Sequence, residues 1–143
     1  MIAVVDAGPL YAIADLDDVD HARCINVLSQ PSLQLVIPIL VIAEVTYFVG
    51  KRLGSDAEQR FLAGLTEFDI EAPLAEDWPR IAELVKKYSD FPLGGTDASV
   101  ITLAERLETS LVVTLDRRHF SAVRPRHCEA LEILPDAVNI GPQ

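Results

Sequence analysis

Four carboxylates in this chain, Asp6, Glu44, Asp97 and Asp116, stand against apolar runs rather than in polar loops. Acids gathered in one pocket cannot all ionise without a counter-cation, and an all-oxygen donor set suits Mg2+ or Mn2+. A site of that kind serves hydrolysis of a phosphodiester. Asp6 closes the run Ile2 to Val5, and Asp116 follows Leu111 to Leu115; both runs read as buried strands of a parallel sheet. Glu44 is the only charged residue between Gln34 and Gly50, and helical spacing places it on a stripe with Leu40, Val41, Tyr47 and Phe48. A buried carboxylate there needs a partner or a cation. Asp97 falls in the first turn of an expected helix, three and four residues before Val100 and Ile101, and so projects to the packed side.

Each acid also has an ordinary explanation. Asp6 precedes Ala7-Gly8-Pro9 and suits a turn. Asp97 is favoured by a helix dipole whatever the function, and Asp116 suits a turn as well. It is the four together that point to a metal.

The elements that must position these acids alternate in type. Strands are expected at 2–5, 34–37, 68–72 and 111–115, with a final edge strand at 130–134. Helices are expected at 7–14, 19–28, from Pro38 onward, from a capping box at Ser55 to Glu58, at 74–88, and from a Thr96 cap to about Leu107. Alternation of this kind implies a parallel sheet covered on both faces, with ligands bound beyond the carboxyl ends of the strands. Asp6 and Asp116 fall at that edge.

Composition narrows the function further. At 143 residues, half of them apolar, the chain reads as one domain over 1–143 with an ordinary core. Cys24 and Cys128 are too few for a disulfide framework, and no leader or membrane-length apolar run is visible, which fits a cytoplasmic protein. Cys24, His119, His127 and Cys128 match no structural zinc spacing, and neighbouring His127 and Cys128 point apart in extended chain. Asp15, Asp17, Asp18 and Asp20 read as a solvated loop, and Tyr47, Phe48 and Trp78 as core. The net charge of −10 opposes nonspecific nucleic-acid binding. Its distribution matters more than its sum, because Arg117, Arg118, Arg124 and Arg126 gather beside Asp116 and are the candidate RNA-contacting residues.

On these residues the chain resembles the PIN-domain ribonucleases, specifically the VapC-type toxins of bacterial VapBC toxin-antitoxin pairs. The resemblance spans essentially the whole length. It is carried by Val4-Val5-Asp6-Ala7, Val41-Ile42-Ala43-Glu44-Val45, Thr96-Asp97-Ala98-Ser99-Val100 and Val113-Thr114-Leu115-Asp116-Arg117-Arg118-His119-Phe120. It implies an α/β/α sandwich with a mainly parallel central sheet, a site for one or two Mg2+ or Mn2+ ions, a homodimer, and a small VapB-type antitoxin as partner. The implied activity is endonucleolytic cleavage of structured RNA, either tRNA or the sarcin-ricin loop of large-subunit ribosomal RNA. Asp6 and Asp97 would be the main metal ligands, with Glu44 and Asp116 completing the pocket and handling the attacking water. The family commonly carries Ser, Thr or Asn after the first Asp, and often a further acid after the fourth. Here those places hold Ala7, and Arg118 and His119. Two other readings remain: an inactive interaction protein of the same fold, and a phospho-accepting receiver-like domain. The second needs a Lys after a late strand, whereas Lys51, Lys86 and Lys87 all fall on expected helices.

Overall fold

The computed structural model describes residues 1–136; positions 137–143 of the expected unit lie outside the described residues. Its centre is a sheet of β1 (Ile2–Val5), β2 (Gln34–Pro38), β3 (Asp69–Glu71), β4 (Leu111–Val113) and β5 (Glu132–Leu134), in the order β3-β2-β1-β4-β5. Every pairing is parallel, and register runs through Val4 opposite both Val36 and Val112. The sheet is therefore wholly parallel, as the apolar runs of β1 and β4 suggested.

Parallel neighbours need crossovers, and the helices supply them. Helices α1 (Ala7–Ala14), α2 (His21–Leu28), α3 (Ile39–Leu53) and α4 (Ser55–Gly64) pack on one another, and α5 (Asp77–Lys87) packs on α6 (Gly95–Arg106). With the sheet between these groups the result is an α/β/α sandwich. The core joins Val4, Val5, Leu10, Ile37, Val41, Val45, Leu84, Ile101 and Phe120, all essentially inaccessible. Each such side chain contributes about 1.5–3 kcal/mol by leaving water. A short helix, α7 (Arg117–Ala122), follows β4 and was not expected from the sequence.

Several helix starts differ from expectation, α5 beginning at Asp77 rather than Leu74. Helix α4 is preceded by Gly54 alone, at φ 94° and ψ 175°, a region open essentially to glycine. No side-chain cap forms at Ser55, and the Glu58 carboxylate lies instead against Gly50, where a Cβ would collide with it. Helix α6 takes Gly94 as its N-cap, one turn element before Thr96. Helix α2 begins at His21, leaving Val19 exposed in the preceding loop. That loop is otherwise the solvated acidic stretch expected, with Asp15 and Asp18 accepting from the amides of Asp17 and Asp20.

Candidate active site

Strand order reverses at β1, since the chain first builds outward to β2 and β3 and then crosses to β4. The crevice beyond the ends of β1 and β4 is where ligands bind in such sheets. Asp6 leaves β1 there, its amide donating to the Val113 carbonyl of β4 at 2.9 Å. Only 5 % of Asp6 is exposed. Its Oδ2 accepts from the Thr114 hydroxyl at 2.7 Å, while its Oδ1 is buried with no hydrogen-bond partner among the described residues. Burial pushes the Asp6 carboxyl up to about 6, against the Thr114 hydrogen bond and the neighbouring Ala7 amide, with the charges of Asp97 and Glu44 adding to the rise.

Thr114 ties the two strand ends together. The same hydroxyl that donates to Asp6 accepts the Asp116 amide at 3.0 Å. Asp116 is the N-cap of α7, its Oδ1 accepting the His119 amide at 3.0 Å, so it does serve the turn as well as the site. Its Oδ2 meets the His119 ring at Nδ1, 2.5 Å away, and the same nitrogen is 3.9 Å from Asp97 Oδ2. One oxygen or nitrogen from each of Asp97, Asp116 and His119 lies within 4.8 Å of the others.

Asp97 enters from α6. That helix is buried without a break from Ala98 to Ala104, so only its first turn opens toward the crevice. Asp97 is therefore half-buried rather than turned inward. Its carboxyl is raised by burial and by the charge of Asp116, while His119 and the Gly94 amide oppose the rise. The Gly94 contact is the reach of an acid three residues into a helix back to the cap, so Asp97 also stabilises its own helix.

Glu44 departs from expectation. Helix α3 buries Val41, Ile42, Val45 and Val49, which turns Glu44 and Tyr47 outward, and Glu44 is exposed. Its charge still raises both Asp6 and Asp97, so it stands at the rim of the same crevice. Tyr47 and Trp78, expected in the core, are 59 % and 49 % exposed.

The arginines divide. Arg117 donates to the Pro135 carbonyl at 2.9 Å, and Arg118 stacks over Phe91. Phe91 in turn meets the His119 ring edge-on at 5.2 Å. Arg126 instead reaches Glu83 at 3.4 Å, and the Arg124 amide takes the Tyr88 hydroxyl, on the side of α5. All four are exposed.

The remaining cysteines and histidine do not assemble a zinc centre. Burial pushes the Cys24 thiol up to about 11, so it offers no thiolate. His127 binds the Thr109 carbonyl, and its ring lies 3.6 Å from Cys128 Sγ because the chain bends there instead of extending. Sequence reasoning missed Thr114, His119 and Phe91 as parts of the site.

A carboxylate oxygen that is buried and unpartnered, with more acids converging on it, fits a divalent cation. Asp6, Asp97 and Asp116 are the residues that would hold it.

Residues 3–124 match the PIN domain family. Ribonuclease VapC26 of Mycobacterium tuberculosis is 36% identical over 124 residues, which cover 85% of this chain and 92% of that protein. Among solved structures, M. tuberculosis VapC20, described as a sarcin-ricin loop cleaving toxin, aligns with a TM-score of 0.70 at 17% identity over 77% of this chain and 86% of the other. VapBC2 from Rickettsia felis, bound to a promoter DNA fragment, aligns at 0.68 and 20% identity over 93% and 98%. A toxin-antitoxin complex from Klebsiella pneumoniae aligns at 0.63 and 20% over 85% and 92%. With the acids, the topology and these likenesses together, the chain belongs to the PIN domain family, among the VapC ribonucleases.

Proposed function

We propose that the chain is the toxin of a toxin-antitoxin pair and acts in the cytoplasm as a divalent-metal-dependent endoribonuclease on structured RNA, tRNA or the sarcin-ricin loop. The carrying observation is the buried Asp6 Oδ1, left without a partner while Asp97, Asp116 and Glu44 crowd the same strand ends. A bound Mg2+ or Mn2+ supplies charge neutralisation at the phosphate and lowers the pKa of water. Asp6, Asp97 and Asp116 would hold that cation, and Glu44, exposed at the rim, would join Asp116 in orienting the attacking water and accepting its proton. Arg117 and Arg118, on the helix that Asp116 caps, hold the RNA backbone.

A small VapB-type antitoxin and a second copy of the chain are the proposed protein partners. Supporting this is the apolar surface of α3 and α4, where Ile39, Tyr47, Leu53 and Leu62 are 40 %, 59 %, 36 % and 44 % exposed. Between α1 and α4 an open groove of about 440 Å³, lined by Leu10, Ile13, Leu16, Phe61, Leu65 and Phe68, adds to it.

The test is a digest of total RNA by the purified chain with Mg2+, Mn2+ or a chelator, followed by sequencing of the new ends. Cleavage at a few sites that vanishes on chelation is expected. Intact RNA under every metal condition overturns the reading in favour of an inactive interaction protein.

A further inference from the structure

One side chain at the site belongs to none of the roles assigned so far. His119 meets the Asp116 carboxylate twice, through its amide to Oδ1 at 3.0 Å and through Nδ1 to Oδ2 at 2.5 Å. The amide contact is the helix cap and survives any substitution of the ring. The ring contact does not belong to the cap. A carboxylate accepts hydrogen bonds, so the contact takes the ring tautomer in which Nδ1 is the donor. A protonated ring nitrogen has no lone pair for a metal. Donors sharing one Mg2+ or Mn2+ at about 2.1 Å sit roughly 3 Å apart. The 2.5 Å separation is that of a hydrogen bond. It is also Nδ1 that Asp97 Oδ2 approaches, at 3.9 Å, which puts the N–H beside both acids. The ring itself is held from behind, edge-on to Phe91, which Arg118 covers in turn.

We propose that His119 is a positioning residue of the active site: its Nδ1–H holds Oδ2 of Asp116 beside Asp97, so that the two carboxylates share a divalent cation that the imidazole itself does not ligate. The inference rests on the metal-dependent reading above. Asp116 would otherwise be secured by one oxygen alone, free to turn about its cap bond. Groups that orient a metal's carboxylates in this way are worth about 10- to 100-fold in metal affinity.

The experiment titrates Mn2+ into wild type, His119→Ala and His119→Asn by calorimetry, and records pulsed electron paramagnetic resonance of Mn2+ bound to wild type. Asn places an amide N–H where Nδ1–H stands. The expected result is a loss of about 10- to 100-fold in affinity for Ala, recovery to within about threefold of wild type for Asn, and no directly bound nitrogen in the spectrum. Wild-type affinity in His119→Ala overturns the proposal, as does an Asn variant as weak as Ala. A nitrogen coupled as a direct ligand overturns it too, making the ring a ligand. Should His119→Ala fail to fold, the Asn titration and the wild-type spectrum decide. A wild type that takes up no Mn2+ overturns the metal-dependent reading, and this one with it.

Discussion

Thr114 donates its hydroxyl proton to Asp6 at 2.7 Å, joining residues 108 positions apart in the chain. The bond occupies Oδ2 and leaves Oδ1 as the unpartnered atom of the pair. Because the same hydroxyl accepts the Asp116 amide, one small side chain sets the spacing of two acids. Replacement by Val keeps the shape but strands both partners in a buried place. Thr114→Val should therefore lose about 1–3 kcal/mol in urea denaturation, while Thr114→Ser stays within about 1 kcal/mol of wild type.

Asp6→Asn, Asp97→Asn, Asp116→Asn and Glu44→Gln should each lower RNA cleavage by at least about 100-fold, because each removes charge from the set proposed to hold the cation and handle water. Circular dichroism should show the fold retained. Full activity in any two of these variants would refute the assignment. Glu44→Gln should perturb stability least, since its carboxylate is exposed.

Stability of the metal-free protein should fall as pH rises. Asp6 sits at about 6 in the folded chain against 3.8 for its ordinary value, so between those pH values the native state binds the extra proton. The stabilisation is present below about 4 and lost as pH passes through about 6, to a total of about 3 kcal/mol. Asp97, raised in the same direction, acts with the same sign. Melting curves from pH 4 to 8 with chelator should thus show a decline that Asp6→Asn flattens and saturating Mg2+ or Mn2+ offsets. A decline of equal size in Asp6→Asn would remove Asp6 as its source.

The two arginine pairs should behave differently. Arg117→Ala with Arg118→Ala should weaken RNA binding and reduce its log-log salt slope by about 0.7 per lost contact to single-stranded RNA. Arg124→Ala with Arg126→Ala should change the slope less, because Arg126 is already engaged with Glu83. Filter binding over a salt series measures both, and equal loss from both pairs would restore the single rim that the sequence suggested.

Much of the site was legible because a parallel sheet leaves few places for an acid that ends an apolar run. Asp6 and Asp116 are where that logic puts them, and the wholly parallel sheet follows from the same runs. Glu44 was misread because the apolar residues of α3 outnumber those its buried face needs. Val41, Ile42, Val45 and Val49 fill that face, leaving Tyr47 and Glu44 outward. Thr114 stayed hidden because a Thr in a β-branched run looks like any strand former, and its bond to Asp6 exists only in tertiary structure. The available signal was a lone hydroxyl at the end of an apolar run, two residues before an acid. Helix α7 was missed because six residues carry too little periodicity to announce a helix.

The central place of β1, the first strand made and paired with β2 on one side and β4 on the other, bears on when the site is assembled during synthesis. A nascent chain ending at Arg106 already holds Asp6, Glu44 and Asp97, yet β1 has an open edge, and neither Thr114 nor Asp116 exists. Long-range parallel pairing of this kind closes late. On the proposed assignment the site is completed only when most of the chain has been translated.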